Sequence, residues 1–360
     1  MELKLKTEKL KEMVAKAVKG ASNNKLIPLT SLMCVQLKNG TLTLITTDAT
    51  NYLYIRETGV EGDDFYVVIE VETFSKLVAR MTCETATLTL QDGSLNIKGN
   101  GDYTIALPMD EEGNMVKYPD PLLGLELEGE GKEINQATIR TILDTIKPSL
   151  ATTLEIPCYT AYYIGDTVIG TDTYKIASMA VKLFDEPKLV SQEMMNLLSV
   201  MTAEKISVDI KDNILVFTSP DVAVYGTEVE GIEDYQAEAI NNLVATEFES
   251  SCKMPKSALL QVLDRLALFV STYDKNGINL VFTNEGLQIS SKASNGVEMI
   301  KYSESKNFKD YTCLVDIIML TSQIKAYAGD VVELQYGGTK PALKFVDGNI
   351  TQIISLMADE

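Results

Sequence analysis

Apolar residues recur at helical spacing in three places about 120 residues apart, as in Leu10, Val14 and Val18, predicting amphipathic helices over 7–19, 135–147 and 256–267. Short strand-like segments follow each. Gly40-Thr-Leu-Thr-Leu-Ile-Thr-Thr-Asp48 is echoed by Gly165-Asp-Thr-Val-Ile-Gly-Thr-Asp172 and more faintly by Gly286-Leu-Gln-Ile-Ser-Ser291. A second helix is then predicted in each third, over 71–81, 191–201 and 316–327, and each is followed by a hairpin. Ala86-Thr-Leu-Thr-Leu turns at Asp92-Gly93, Ile206-Ser-Val-Asp-Ile at Asp212-Asn213, and Val331-Val-Glu-Leu-Gln at Gly337-Gly338, dipeptides that tolerate positive φ. The pattern predicts an α+β protein of three repeated domains, 1–124, 125–246 and 247–360. Acidic or Gly/Pro-containing linkers are expected near 110–131 and 228–245.

The geometry of such repeats constrains what they could enclose. A 120-residue domain is a ball about 35 Å across; three in a triangle leave a hole of about 5 Å, and six in a hexagon about 35 Å. Only the larger hole admits a duplex, about 20 Å wide, so a DNA ring from this chain has to be a head-to-tail dimer.

Charge refines this picture. The chain carries −19 overall, which by itself argues against nucleic acid, but the six predicted helices carry a net +4, leaving −23 on the remainder. Lys9, Lys16, Lys19, Lys25, Lys76, Arg80, Arg140, Lys147, Lys256, Arg265 and Lys325 are therefore candidate DNA-facing cations, with ordinary solvated helix faces as the competing reading.

Catalytic and metal chemistry find little support. The chain has no histidine, which removes the commonest general base and metal ligand, and it has no phosphate-binding loop. Gly99-Asn-Gly101 lacks the third glycine and the helix of a dinucleotide site, and acidic runs such as Asp110-Glu111-Glu112 read as solvated loops. The five cysteines, Cys34, Cys83, Cys158, Cys252 and Cys313, are widely spaced and odd in number, form no CxxC pair, and read as buried free thiols. The N-terminal residues lack a signal-peptide pattern and no apolar run is long enough to span a membrane, so a cytoplasmic, cofactor-free, non-catalytic protein is expected.

At this point the sequence resembles a known family over essentially its whole length: the β subunit of bacterial DNA polymerase III, the sliding clamp and processivity factor. Leu26-Ile27-Pro28-Leu29 and Gly40 to Asp48 are similar to its L-P-I-L and G-x-L-x-L-x-x-T-D. Gly170-Thr171-Asp172-Thr173-Tyr174-Lys175-Ile176-Ala177 is similar to A-T-D-x-H-R-L-A, Leu243 to Phe248 to R-L-I-P-T-E-F, and Ile353 to Met357 matches the closing strand. The resemblance implies a homodimeric six-domain ring, inner helices and outer sheets, around double-stranded DNA. It also implies a pocket for short motifs of the replicative polymerase, the clamp loader and other partners. Carried over by position, that pocket comprises Tyr159, Thr171, Thr173, Tyr174, Lys175, Ile176, Leu243, Val244, Leu356 and Met357, and the dimer seam comprises Tyr103, Ile105, Phe269 and Val270.

Several positions depart from the family. Tyr174 stands where His is usual, Asn242 for Arg and Ala245 for Pro, and the chain closes on Ala358-Asp359-Glu360. These departures imply an altered partner motif and a phage-encoded or otherwise divergent replication system. An acidic protein-binding ring or scaffold that does not encircle DNA is the alternative from another class.

Overall fold

The computed structural model describes residues 1–358 apart from 92, 124, 126–130, 212 and 294. Asp92 and Asp212 of the predicted turns, part of the first predicted linker and the Asp359-Glu360 ending thus lie outside the described residues.

One order of elements recurs three times, the second pass having one strand fewer between its two helices among the described residues. It begins with β1 (Glu2–Lys6), α1 (Thr7–Ala17), β2 (Leu32–Lys38), β3 (Thr41–Thr47), β4 (Asn51–Thr58), β5 (Glu61–Gly62), β6 (Phe65–Glu70), α2 (Val71–Arg80), β7 (Thr85–Gln91), β8 (Ser94–Lys98) and β9 (Asp102–Ala106). The second pass runs β10 (Lys132–Asn135), α3 (Gln136–Thr145), β11 (Tyr162–Ile164), β12 (Val168–Thr171), β13 (Lys175–Met179), β14 (Lys188–Val190), α4 (Gln192–Leu198), β15 (Lys205–Lys211), β16 (Ile214–Thr218) and β17 (Val222–Thr227), followed by α5 (Ala237–Val244). The third runs β18 (Ser250–Pro255), α6 (Lys256–Leu266), β19 (Gly277–Thr283), β20 (Gly286–Ser291), β21 (Val297–Ile300), β22 (Glu304–Lys306), β23 (Tyr311–Asp316), α7 (Ile317–Ala326), β24 (Val331–Tyr336), β25 (Ala342–Asp347) and β26 (Ile350–Ser355).

The six predicted helices form where the periodicity places them, each slightly shorter. The 191–201 helix stops at Leu198 because Val200 and Met201 bond back three residues, tightening its end into a turn. α5 was not expected: its stretch reads as linker, yet Ile240, Leu243 and Val244 recur at helical spacing and pack on a cluster containing Tyr159, Tyr235 and Ile353. Asp316 caps α7, its Oδ1 accepting from the backbone N–H of Ile318 at 2.6 Å and Met319 at 3.2 Å. In the third hairpin Gly337 and Gly338 take φ of 83° and 94°, conformations that L side chains avoid.

The contacts divide the chain into two compact units that cut through the middle repeat. The first comprises Met1–Ile139 with Glu193–Glu228; the second comprises Arg140–Gln192 with the chain from Val229 onward. The first unit holds a five-stranded sheet, β5-β1-β7-β8-β9, and an eight-stranded one, β10-β15-β16-β17-β4-β3-β2-β6. The second holds a nine-stranded sheet, β14-β11-β12-β13-β26-β25-β24-β18-β22, and a four-stranded one, β21-β20-β19-β23. The cut follows from the pairing: β17 of the middle repeat pairs with β4 of the first, and β26 of the third pairs with β13 of the middle. In the second unit α6 and α7 bury Leu259, Leu263, Leu320 and Ile324 among Phe282, Tyr336 and Phe345. In the first, Leu10, Val14, Phe74 and Val78 of α1 and α2 are fully covered. No helix among the described residues is long and apolar enough to cross a membrane. The cysteines are all free; four are buried and Cys83 is half-buried.

Candidate functional site

The residues that the resemblance assigns to a peptide pocket all fall in the second unit. Between β12 and β13 the chain reverses in a turn built by its own side chains. Thr171 Oγ1 donates to the carbonyl of Lys175 at 2.8 Å and accepts from Thr173 N–H at 3.0 Å, while Asp172 Oδ1 accepts from Tyr174 and Lys175 N–H at 3.0 and 2.7 Å. Thr173 is held at φ 77°, a strained position for a β-branched residue. The Lys175 ammonium is committed to the Pro148 carbonyl at 2.7 Å and Asp172 Oδ2 at 3.2 Å. Thr171 and Lys175 thus shape the turn, and Tyr174, 61% exposed, is what the turn presents to solvent.

The neighbouring wall is apolar. Tyr159 and Ile176 are buried in the same cluster, and Leu243 and Val244 lie half-buried against it. Tyr235 sits at the centre, edge-on to Tyr159 at 5.1 Å between ring centroids and stacked on Tyr163 at 5.0 Å. The end of α5 is fixed by Lys344, whose ammonium donates to the Val244 and Thr246 carbonyls at 2.8 and 3.1 Å; burial pulls its pKa below the ordinary lysine value. Ser355 N–H donates to the Tyr174 carbonyl at 2.9 Å, which brings the turn beside Leu356 and Met357, and Met357 N–H donates to Leu314. The sequence reading missed Leu154 and Ile156, exposed apolar residues in the loop entering the turn at Pro157–Thr160. Their signal is the apolar-before-Pro pattern already quoted at Leu26-Ile27-Pro28.

Of the proposed seam residues, Tyr103 and Ile105 lie on an edge strand of the first unit, and Phe269 and Val270 lie in the turn after α6 in the second. Tyr103 is exposed and Ile105 nearly buried on β9, which pairs only with β8 among the described strands. Phe269 is half-exposed and Val270 partly covered, following α6. Val297 and Met299 on the edge strand β21, and Leu268 and Tyr273 after α6, are exposed apolar residues that the sequence pattern does not single out. A four-residue strand with alternating apolar positions is too short to be read from periodicity. Arg265, one of the candidate DNA-facing cations, grips Glu298 of β21 with both ends of its guanidinium, Nε to Oε1 at 2.8 Å.

Other candidate cations are also partnered. Lys9 and Lys16 pair with carboxylates, Lys76 pairs with Glu72 one turn earlier, and Lys256 donates to the carbonyls of Lys325 and Tyr327 at the end of α7. Arg80 donates to the Lys76 carbonyl at 3.1 Å. Lys147 is exposed and also engaged. Among the described residues Lys19, Lys25, Arg140 and Lys325 are exposed and in no ion pair.

No family model and no curated protein sequence matches the chain. Solved structures do. The β subunit of the DNA polymerase of Streptococcus pyogenes superposes with a TM-score of 0.88 at 15% identity, covering 100% of both chains. The Bacillus subtilis DNA polymerase sliding clamp gives 0.86 at 16%, and DNA polymerase III subunit beta of Borrelia burgdorferi 0.85 at 16%, each again covering 100% of both chains. Along its whole length, then, this α+β chain has the fold of a DNA polymerase III β-subunit sliding clamp.

Proposed function

We propose that the chain is a non-catalytic DNA sliding clamp. Two copies join head to tail into a ring of six domains, bounded in each chain at 1–124, 125–246 and 247–360, that encircles duplex DNA and tethers a replicative polymerase. The observation that carries the reading is the way the repeats join. In the first unit β17 pairs with β4 so that Gly226 faces Asn51 and Val224 faces Leu53; in the second β26 pairs with β13 so that Ile354 faces Lys175 and Gln352 faces Ala177. Asn51 and Lys175 hold the same place in two copies of one turn, since Thr47, Asp48 and Ala49 (φ 89°) repeat the four bonds that the Thr171 hydroxyl and Asp172 Oδ1 make to the backbone. The register of the two joints is therefore identical. β9 and β21 occupy the equivalent places in the first and third repeats and, among the described strands, end their sheets with one side unpaired.

A second copy completes them. Extending the common register through β8–β9 and β20–β21 sets Tyr103 opposite Gly296 of the second copy. A Cβ at Gly296 would stand 3.1 Å from the Phe269 ring and 3.0 Å from Leu266, so a side chain there would press on both. The Tyr103 ring then covers the glycine and meets Phe269, filling the seam with aromatic surface. A heterologous joint of this kind closes into a ring or runs on as a filament, and six repeats give the diameter that duplex DNA needs.

The unpaired cations Lys19, Lys25, Arg140 and Lys325 are the leading DNA contacts, and the Tyr174 turn with Tyr159, Ile176, Leu243, Val244, Leu356 and Met357 is the dock for polymerase, loader and other motif-bearing partners. The test is mass in solution together with retention on circular and linearised plasmid. A particle of twice 39.6 kDa that stays on circles and leaves linear ends is the expected result. Equal retention on both forms, or binding of protein partners with none of DNA, favours the scaffold alternative.

A further inference from the structure

Five charged side chains in the first unit form one continuous chain of ion pairs. Lys9 and Lys16 are seven residues apart on α1, two turns, and so share a side of the helix. Glu12 lies between them, 3.5 Å from Lys9 and 2.9 Å from Lys16. The chain ends at Glu57 on β4, 2.9 Å from Lys9, and at Asp221 before β17, 3.0 Å from Lys16. Two ammonium groups thus face three carboxylates, a net charge of −1 where a count of lysines along the helix suggests an attractive face. Lys9 sits above its ordinary pKa, chiefly through its bond to Glu57, and Glu12 below its own, chiefly through Lys16. Burial alone would pull Lys16 down and push Asp221 up; their contacts override it, leaving Lys16 raised and Asp221 lowered.

The three carboxylates are not equivalent. Asp221 also accepts from Ser219 Oγ at 3.2 Å, and its carbonyl accepts from Arg56 N–H at 2.7 Å, so it is part of the joint between β17 and β4. Among the described residues the Glu12 carboxylate bonds only the two lysines, and its side chain is 50% exposed. The positions matching it on α3 and α6, five residues after the helix start, are Thr141 and Gln261, both uncharged. The repeat therefore folds without a carboxylate there, and its presence on α1 alone calls for a different explanation.

We propose that Glu12 is a built-in competitor for DNA phosphate, holding Lys9 and Lys16 in ion pairs that a phosphate has to displace and so loosening the grip of α1 on the duplex. This rests on the reading of α1 as a DNA-facing helix. Each lysine that newly neutralises a phosphate steepens the logarithmic salt dependence of binding by about 0.9, or roughly 3.5-fold in affinity between about 50 and 200 mM salt. Removing the Glu12 charge leaves the remaining four charged groups with no net charge and each lysine with one carboxylate partner.

The test is binding of the full chain to a short labelled duplex by fluorescence anisotropy across a salt series, for E12Q, E12A, R140A and K325A. Both Glu12 variants are expected to bind at least about threefold tighter at low salt with a slope steeper by about 1, while R140A and K325A each flatten it by about 1. Glu12 variants that bind like the parent, or that differ from each other in sign, overturn the inference while flattening by R140A and K325A keeps the DNA reading. If none of the four changes binding, both fall together.

Discussion

Tyr103→Ala offers the sharpest test of the seam. Tyr103 is 38% exposed in the single chain, which for a side chain burying about 200 Å² leaves roughly 75 Å² for a second copy to cover. At about 25 cal/mol per Å² this contributes about 2 kcal/mol, of which the wetted phenol edge leaves about 1.5. A closed two-copy ring has two such seams, so the substitution should cost about 3 kcal/mol of assembly, raising the dissociation constant by about two orders of magnitude. Mass photometry or sedimentation over a dilution series measures it directly. Tyr103→Phe should assemble nearly as the parent does, because the ring and not the hydroxyl covers Gly296. The reasoning is refuted if the alanine variant dissociates within about threefold of the parent, or if the phenylalanine variant is as weak as the alanine one.

Thr173→Gly relieves a residue held at φ 77° and should stabilise the second unit by about 1 kcal/mol in urea unfolding, and Thr173→Val, which keeps the branched side chain, should not. Asp221 is held below its ordinary 3.8, so its contribution is complete above about pH 4 and is lost as pH falls through the folded value. Asp221→Asn should therefore lower stability by roughly 0.5–1 kcal/mol at neutral pH, and the deficit should vanish as pH falls below about 4, where the parent loses the same contribution. Burial pushes the thiols of Cys34, Cys252 and Cys313 up to about 12, whereas Cys83 is half-buried. A thiol reagent at neutral pH should thus modify Cys83 first under native conditions, and reaction of the others should await unfolding.

What the sequence made legible was local. The apolar period located α1 and α6, and turn dipeptides located the hairpins, because each signal lies within one element. The two compact units were not legible, since they depend on β17 meeting β4 and β26 meeting β13, pairings between strands far apart in the chain and individually unremarkable. The cations show the same limit. Lysines can be counted along α1, but one of the two partners of Lys16 is 205 residues away, and the commitment of Lys175 to the Pro148 carbonyl leaves no mark in the motif that contains both Thr171 and Tyr174. α5 was overlooked because its asparagines and glutamate read as a linker while only three apolar positions carried its period.

The identical register of the two joints has an arithmetic consequence. Every joint consumes one final strand as donor and one inner edge as acceptor, so a run of such repeats always ends with one donor and one acceptor left over, whatever its length. Growth by this rule has no stopping point in the strands themselves; only the angle at each joint decides whether the last donor finds the first acceptor. Substitutions that leave the pairing of β4 and β17 intact but change their tilt would thus be expected to alter the shape of the assembly, from closed particles to fibres, without weakening the contact that builds it.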